Sequence, residues 1–286
     1  MNYEKGFTYM NNEIIDLHTH TTHSDGELTP YELLSQAKEM GCTLIAITDH
    51  DTVGGIAEGR RVAAELGIDF VPGIEISTQE LEEVHMLGYG IDETNEALCK
   101  CCQEFADSRA RRAELICDFL ATKGIKVELE EVRNISGGTI IGRPHFAEYL
   151  EKHGYVSNRK EAFSRYLNTP AFHAAVTRQK PSPQEAIQLI HGAGGKAVLA
   201  HPGLLKKNWY EVEMFIKTLK EAGLDGVECI YQKHKPATEK RFLEIAKKYD
   251  LATSCGSDFH GVHVKPDVPL GMKVTPERLA SVPLVV

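Results

Sequence analysis

Short β-rich runs alternate with amphipathic helical patterns at both ends of the 286-residue chain, and this alternation constrains the fold most. A strand that is followed by a helix and a second strand favours a parallel βαβ unit, so the pattern predicts an α/β sheet or barrel. The predicted strands are Ile14–Leu17, Leu44–Thr48, Phe70–Ile76, His85–Tyr89, Lys196–Ala200, Gly226–Ile230 and Ala252–Cys255. Helical patterns between them include Pro30–Met40, Gly55–Leu66, Glu211–Ala222 and Thr238–Tyr249.

The alternation stops at about residue 92 and resumes near residue 181. In between, the periodicity predicts a long helix from Glu93 to Lys123 and shorter helices at Leu129–Asn134, Pro144–His153 and Lys160–Leu167. The stretch TPAFHAAVTRQKPSP (169–183) is predicted to be a loop. We therefore divide the chain into a barrel domain, residues 1–91 and 181–286, and a helical insertion, residues 92–180, that acts as a lid.

The composition limits the cellular compartment and the binding partners that we expect for this protein. A net charge of −9 argues against a surface for long duplex nucleic acid, although a local basic pocket stays possible. The sequence shows neither an apolar run of the ~20 residues that a membrane span needs nor an apolar signal segment. Cys99, Cys101 and Cys102 share one helical pattern, so they cannot all pair with one another, and we expect a reducing cytoplasm. A zinc site in CKCC is the weaker alternative, because a second ligand pair is missing.

Histidines and carboxylates collect beside the predicted strands. Most of them follow a strand, and active sites of α/β barrels lie at the carboxyl ends of the strands. His85 is the exception because it opens its run; either that strand begins earlier, near Glu82, or it runs antiparallel to its neighbour. The candidate metal ligands are His18, His20, Asp25, His50, Glu75, His85, His201, Asp258 and His260.

This set predicts a metal centre rather than ordinary polar strand ends. His18 and His20 are two residues apart on a strand, so both side chains point to one face. Burying so many imidazoles and carboxylates without a metal or mutual pairing would cost several kcal/mol. Nine candidates exceed the three protein ligands of a typical catalytic zinc, so we expect two or three divalent ions. Ligands without thiolate suit Mn²⁺, Zn²⁺ or iron, and Glu75 is the natural bridge. Two close ions would generate a hydroxide and support in-line displacement at phosphorus.

The motifs HTH, HSDG, TDHD, GIE, HMLGY, AHP and SDFH resemble, in this order, the PHP family, named for polymerase and histidinol phosphatase. The resemblance implies a distorted seven-stranded (β/α) barrel with a trinuclear metal site. It implies a first metal on His18, His20, Glu75 and Asp258, a second on Glu75, His85 and His201, and a third on Asp25, His50 and His260.

The insertion carries GRPHFA (142–147), which resembles a subgroup of stand-alone metal-dependent phosphoesterases. Members act on 3′,5′-nucleoside bisphosphates or as 5′→3′ exoribonucleases on short RNA. The resemblance implies that Arg143 and His145 bind phosphate or assist the leaving group, and a cation and an imidazole at a helix start suit an anion. The alternative is that Arg143 makes surface contacts only.

For the remaining arginines and histidines, surface or structural roles are the first expectation. Arg109, Arg111 and Arg112 form a solvated helix face, unless one reaches a second phosphate or an RNA backbone. His23 is solvated or supports the ligands from behind. Surface or structural roles are expected for His153, His173, His191, His234 and His263.

The sequence therefore predicts a metal-dependent phosphoesterase with a small phosphorylated substrate, a nucleotide or short RNA. An amidohydrolase also opens with H-x-H on a barrel strand, but TDHD and the paired ligands of SDFH argue against it. A noncatalytic metal-stabilised PHP module is the third hypothesis; the complete ligand set and the absence of a polymerase region in 286 residues argue against that.

Overall fold

The strands form one mixed sheet with helices packed around it. A computed structural model describes residues 13–78, 84–136, 141–177 and 180–275. Its strands are β1 (Glu13–Asp16), β2 (Cys42–Ile47), β3 (Asp69–Ser77), β4 (His85–Tyr89), β5 (Lys196–Leu199), β6 (Gly226–Tyr231), β7 (Ala252–Gly256) and β8 (Met272–Val274). The sheet order is β7-β6-β5-β4-β3-β2-β1-β8. This arrangement confirms the α/β class and all seven predicted strands, while β8 was not predicted.

Two strands run against the others. The pairs β1–β2, β2–β3, β5–β6 and β6–β7 are parallel, whereas β4 is antiparallel to both β3 and β5, and β8 is antiparallel to β1. The antiparallel course of β4 answers the question that His85 raised. Because β4 is reversed, its first residue lies at the same edge of the sheet as the carboxyl ends of the parallel strands.

The sheet nearly closes into a barrel where β1 meets β7. Leu17 N–H donates to the Cys255 carbonyl at 3.0 Å, and Asp258 N–H donates to the His18 carbonyl at 2.9 Å. The earlier part of β1 pairs instead with β8. One strand is thus shared between two partners, which accounts for the distortion of the barrel.

Ten α-helices lie in the described ranges: α1 (Pro30–Glu39), α2 (Ile56–Leu66), α3 (Glu96–Ala121), α4 (Leu129–Ser136), α5 (Arg143–Lys152), α6 (Arg159–Ala162), α7 (Pro170–Ala175), α8 (Pro183–Gly192), α9 (Trp209–Glu221) and α10 (Pro236–Lys248). A π-helical turn, Phe163–Leu167, follows α6, and a 3₁₀ turn, Pro202–Leu204, follows β5. None of these helices is both long and apolar enough to cross a membrane.

The loop predicted at 169–183 is wrong in part, because α7 lies within it and α8 begins at its last residue. Thr169 and Ser182 each accept a backbone hydrogen bond as helix caps, and a proline follows each of them at the first helical position. A capping residue followed by a proline indicates the start of a helix, and both pairs can be read directly from the sequence.

The helices between β4 and α8 have a core of their own. Buried residues from Ala113 to Val176 form one apolar cluster, and Phe146, Leu150 and Phe172 lie within it. The first half of α3 packs instead on the main cluster of the sheet, through Leu98 and Phe105. The helix α3 therefore contributes to both cores. The division at residues 91/92 and 180/181 stays a prediction.

The barrel closure depends on the lack of a side chain at Gly256. A Cβ placed there would lie 2.2 Å from the His18 Cβ and 2.8 Å from the His18 backbone nitrogen. We expect Gly256→Ala to lower the free energy of unfolding by at least roughly 1–3 kcal/mol, because backbone atoms must move to admit the methyl group. Urea denaturation checks this. Gly192→Ala is the control, since a Cβ there meets nothing within 4 Å; equal stability of the two variants would contradict the closure described.

Candidate metal centre and its cleft

All nine predicted ligands lie at one edge of the sheet. His18 and His20 follow β1, His50 follows β2, and Glu75 lies inside β3. A bridge between His50 and Glu75 extends the pairing of β2 with β3 to this edge. The antiparallel register places Ser77 opposite His85, so His85 joins the same edge. The remaining predicted ligands are Asp25 in the turn before α1, His201 after β5, and Asp258 and His260 after β7.

Three groups of these side chains have ligand atoms within 4.8 Å of one another. The groups are His18, His20, Glu75 and Asp258; His20, Asp25, His50 and His260; and His50, Glu75 and His85. The first equals the set that the resemblance implied for one ion, and the second adds His20 to an implied set. The third contains His50 where His201 was implied. His201 nevertheless lies beside this group, with Nε2 at 3.1 Å from Glu75 Oε1.

Buried polar atoms without a hydrogen-bond partner point into this centre. They are His18 Nε2, His20 Nε2, Asp25 Oδ1, His50 Nδ1, Glu75 Oε2 and His260 Nε2. Buried polar atoms are almost always paired, so a concentration of unpaired ones needs an explanation. Nitrogen and oxygen donors from imidazole and carboxylate are suitable ligands for Zn²⁺, Mn²⁺ or iron. The residues present therefore fit a group of divalent cations.

The carboxylates and imidazoles of the cluster shift one another's pKa values. Burial alone would raise the pKa of Glu75, but the imidazoles of His50 and His18 outweigh burial and hold it well below the usual range. Burial would lower the pKa of His20, yet the carboxylates of Asp258 and Glu75 raise it to about 9. Burial beside His20 lowers the pKa of His260 to about 4. Carboxylates with lowered pKa values and imidazoles whose pKa values shift in opposite directions thus lie together in one buried cluster.

The backbone at two ligand positions is strained. His201 and Asp258 have φ angles of 29° and 63°, in the left-handed region that glycine favours. Such conformations cost about 1–3 kcal/mol each and persist only where the surroundings enforce them. Both side chains belong to the cluster: His201 Nε2 lies 3.1 Å from Glu75 Oε1, and Asp258 shares a group of close ligand-type atoms with Glu75.

A cleft of about 730 Å³ opens above the cluster. Arg143 and Lys206 line it, together with Lys265, whose Nζ lies 2.7 Å from Asp258 Oδ2. Arg143 is the first residue of α5, which begins without a side-chain cap at Gly142. His145 lies one residue beyond Pro144, and its Nδ1 accepts the Gly142 N–H at 3.0 Å. The structure thus places Arg143 in the cleft, whereas His145 is not among the residues that line it and is held by its own helix start.

Comparison with known families fits this geometry. The PHP domain family matches residues 16–263, which include all nine predicted ligands. The chain belongs to the PHP family.

Two relatives of this PHP chain have the names of enzymes that cleave phosphate esters. A 5′-3′ exoribonuclease from Escherichia coli is 36% identical over 264 residues, or 91% of this chain and 89% of that protein. A 3′,5′-nucleoside bisphosphate phosphatase from Chromobacterium violaceum is 36% identical over 248 residues, or 86% and 89%. A solved structure from the latter organism, described as an amidohydrolase with bound sulfate and no metal, is 34% identical, has a TM-score of 0.81 and covers 95% of this chain and 94% of its own.

Several residues that form hydrogen bonds with the clustered side chains, or with the chain next to them, were not predicted from the sequence. Glu228, fully buried on β6, has Oε1 at 2.9 Å from His18 Nδ1 and accepts the His201 N–H at 2.6 Å. Asp49 accepts three hydrogen bonds from Thr21 and Ser24. Partners that fix the ring orientation of a metal-binding histidine tune its affinity for the metal. An isolated glutamate in an apolar strand, GVECIY, was the available signal for Glu228.

Asp16, the last residue of β1, also supports the cluster. Its carboxylate accepts hydrogen bonds from the Ser257 N–H and hydroxyl and from the Gly271 N–H. The bonds from Ser257 hold the start of the loop that carries Asp258 and His260. Asp16 therefore ties the first strand to the last ligand loop.

Arg109, His23 and the cysteines of CKCC do not line the cleft. Arg109 is neither solvated nor on the cleft: it forms an ion pair with Asp51 at 2.5 Å, next to His50. His23 and Arg109 line a second cavity of about 410 Å³ beside α3. The cysteines of CKCC are free thiols, and no described group of metal-type ligands includes one. His173 is not merely a surface residue, because it lines the cleft.

We expect Glu228→Gln to weaken metal binding by roughly 10–100-fold, because the amide turns an N–H₂ toward a group that needs an acceptor. Titration of the metal-free protein with Mn²⁺ against a competing chelator measures this. Glu213→Gln is the matched control, since Glu213 pairs with Lys248 at 2.6 Å outside the cluster. Identical Mn²⁺ affinities in both variants would show that Glu228 does not orient the ligands.

Proposed function

We propose that this chain is a metal-dependent phosphoesterase that hydrolyses phosphate esters of nucleotides, either 3′,5′-nucleoside bisphosphates or short oligoribonucleotides. The observation that carries the proposal is the group of unpartnered imidazole and carboxylate atoms at the floor of a cleft that also contains Arg143. Cations at the floor and a guanidinium in the same cleft suit a phosphate. The names of both relatives agree with this chemistry.

The nine clustered residues would hold two or three divalent ions, with Mn²⁺, Zn²⁺ and iron as the candidates. Glu75 is the one carboxylate of these groups that belongs to two of them, so it is the proposed bridge. When bound, such ions supply a nucleophilic hydroxide at neutral pH and neutralise charge that develops on phosphoryl oxygens. We assign the ligands to a first, second and third ion in the sets that the resemblance implied. In this assignment His201 belongs with Glu75, which it adjoins in the structure.

Arg143 would bind and orient the phosphate. Its guanidinium offers a planar fork of N–H donors that matches two phosphate oxygens, which lysine cannot do. The start of α5 adds a further attraction for an anion. Arg143 therefore holds the ester in the orientation that the reaction requires, while the clustered residues hold the ions.

His145 would act as a neutral hydrogen-bond donor. Burial lowers its pKa, so the ring is uncharged at neutral pH. Since its Nδ1 accepts the Gly142 N–H, the proton of the neutral ring sits on Nε2. From there it can donate to a phosphate oxygen or to the leaving oxygen. This role differs from that of a charged imidazolium acid.

The cleft volume favours a small substrate. Pockets of about 300–1,000 Å³ hold ligands the size of a nucleotide, and this cleft lies within that range. The net charge of −9 would repel a long polyanion, whose affinity depends on many basic contacts. A mononucleotide or the end of a short RNA fits both constraints.

Two other functions remain as alternatives to be tested. The name amidohydrolase on the solved relative keeps a C–N hydrolase in consideration. A noncatalytic module would keep the metals without turnover. Assays of the protein with added Mn²⁺ on a nucleoside bisphosphate, a short RNA and a cyclic amide separate these functions, because each predicts a different active compound or none.

We expect Glu75→Gln to reduce kcat on adenosine 3′,5′-bisphosphate by at least roughly 10³-fold, since the bridging carboxylate contacts several imidazoles and would hold two ions. Phosphate release measures the rate, and elemental analysis measures bound metal. The control is Glu213→Gln. Wild-type activity of Glu75→Gln with unchanged metal content would refute the proposed site.

We expect Arg143→Ala to lower kcat/KM on the same substrate by roughly 10–100-fold, which corresponds to one or two charge-assisted hydrogen bonds. Arg143→Lys should recover only part of this loss, because the forked contact is not restored. The comparison variant is Arg159→Ala, since Arg159 pairs with Glu148 and Glu151 nearby. If Arg143→Ala and Arg159→Ala behave alike, Arg143 does not bind the phosphate.

A further inference from the structure

Two apolar side chains line the cleft, and neither can bind a phosphate group or take part in its hydrolysis. Phe163 comes from the helical segment and Leu204 from the 3₁₀ turn after β5. Leu204 is 50% exposed, so its apolar surface is open to a ligand in the cleft. Phe163 is half-buried and packs partly on the core of the helical segment. The two main parts of the chain thus each contribute one apolar wall to the cleft.

The wide turn Phe163–Leu167 brings a second group to the Phe163 wall. The Asn168 N–H donates to the Phe163 carbonyl at 2.9 Å, which is an i→i+5 bond. In an α-helix, residues five apart point about 140° away from each other, whereas the wider π turn brings them closer to one side. Both Phe163 and Asn168 consequently line the cleft. Single π turns of this kind occur frequently at functional sites.

Asn168 is held in place by a histidine that also lines the cleft. Asn168 Oδ1 and His173 Nε2 lie 2.8 Å apart. His173 belongs to α7, whose cap at Thr169 fixes the chain directly after Asn168. A positioned amide and an imidazole next to an aromatic face provide hydrogen-bonding groups for the edge of a flat polar ring.

We infer that Phe163 and Leu204 form a nucleobase slot, in which the base of the substrate stacks on Phe163, contacts Leu204 and presents its edge to Asn168. This inference rests on the proposed function and specifies which part of the nucleotide the helical segment recognises. Stacking on an aromatic ring is tolerant of base identity, because every base has a π face. The slot therefore selects nucleotides over base-free sugar phosphates, with weak discrimination among the bases.

The experiment compares two substrates that differ only in the base. Adenosine 3′,5′-bisphosphate carries it, and 1-deoxyribose 3,5-bisphosphate lacks it. We expect the wild-type protein to prefer the nucleotide by roughly tenfold or more in kcat/KM, expressed mainly in KM, because stacking energies of single bases are of that order.

Two variants test the walls separately. Phe163→Leu keeps an apolar side chain but removes the aromatic face, and Leu204→Ser removes the wall that is already half exposed. We expect each to reduce the preference ratio, nucleotide over base-free analogue, by about five- to tenfold. Tyr166→Leu is the control in the same π turn, since Tyr166 packs on the helical core. Tyr210→Ser is the control for loss of an exposed apolar group, because Tyr210 is 73% exposed.

The outcomes separate this inference from the proposed function. Equal kcat/KM for the two substrates in the wild type overturns the slot while the phosphoesterase function stands. The slot is also overturned if the preference ratios of Phe163→Leu and Leu204→Ser equal those of their controls, Tyr166→Leu and Tyr210→Ser. If the protein hydrolyses neither compound and also does not hydrolyse a short RNA, the proposed function and the slot are contradicted together. Thermal unfolding of each variant confirms that its ratio is measured on folded protein.

Discussion

The Glu75 carboxylate is the group on which the rest of the structure depends. Five imidazoles approach it within 3.2 Å: His18, His20 and His50 at Oε2, and His85 and His201 at Oε1. The side chain is completely buried, so its charge is compensated only by this shell. A buried carboxylate without such compensation would cost several kcal/mol. The strands must therefore deliver imidazoles from several directions, and that requirement shapes the sheet.

A regular parallel barrel would not meet this requirement. The reversed β4 brings His85 to the edge where the parallel strands end, because Ser77 pairs with His85. The shared pairing of β1, first with β8 and then with the chain after β7, brings His18 next to Asp258. Each irregularity of the barrel thus places a ligand. The left-handed backbone at His201 and Asp258 likewise occurs at two residues whose side chains belong to the cluster.

The sequence predicted the strands and the cluster of imidazoles and carboxylates beside them because both signals are local. A histidine directly after an apolar run reveals its place without knowledge of the distant chain. The supporting contacts are different, since Glu228 meets His18 across 210 positions and Arg109 meets Asp51 across 58. Neither partner has a periodic signal. The π turn at Phe163 was equally hidden, because apolar periodicity predicts a helix but does not fix its width.

The helical segment connects to the ligand cluster through α3. Its first half packs on the sheet, its second half belongs to the helical core, and Arg109 between them pairs with Asp51 beside His50. The position of the helical segment is therefore coupled to a ligand turn, while the walls of the proposed slot lie outside the ligand set. On the proposed function, substitutions in Phe163 or Asn168 would change substrate preference and leave the cations in place. That separation is one physical route by which relatives about 36% identical could act on a bisphosphate in one case and on RNA in another.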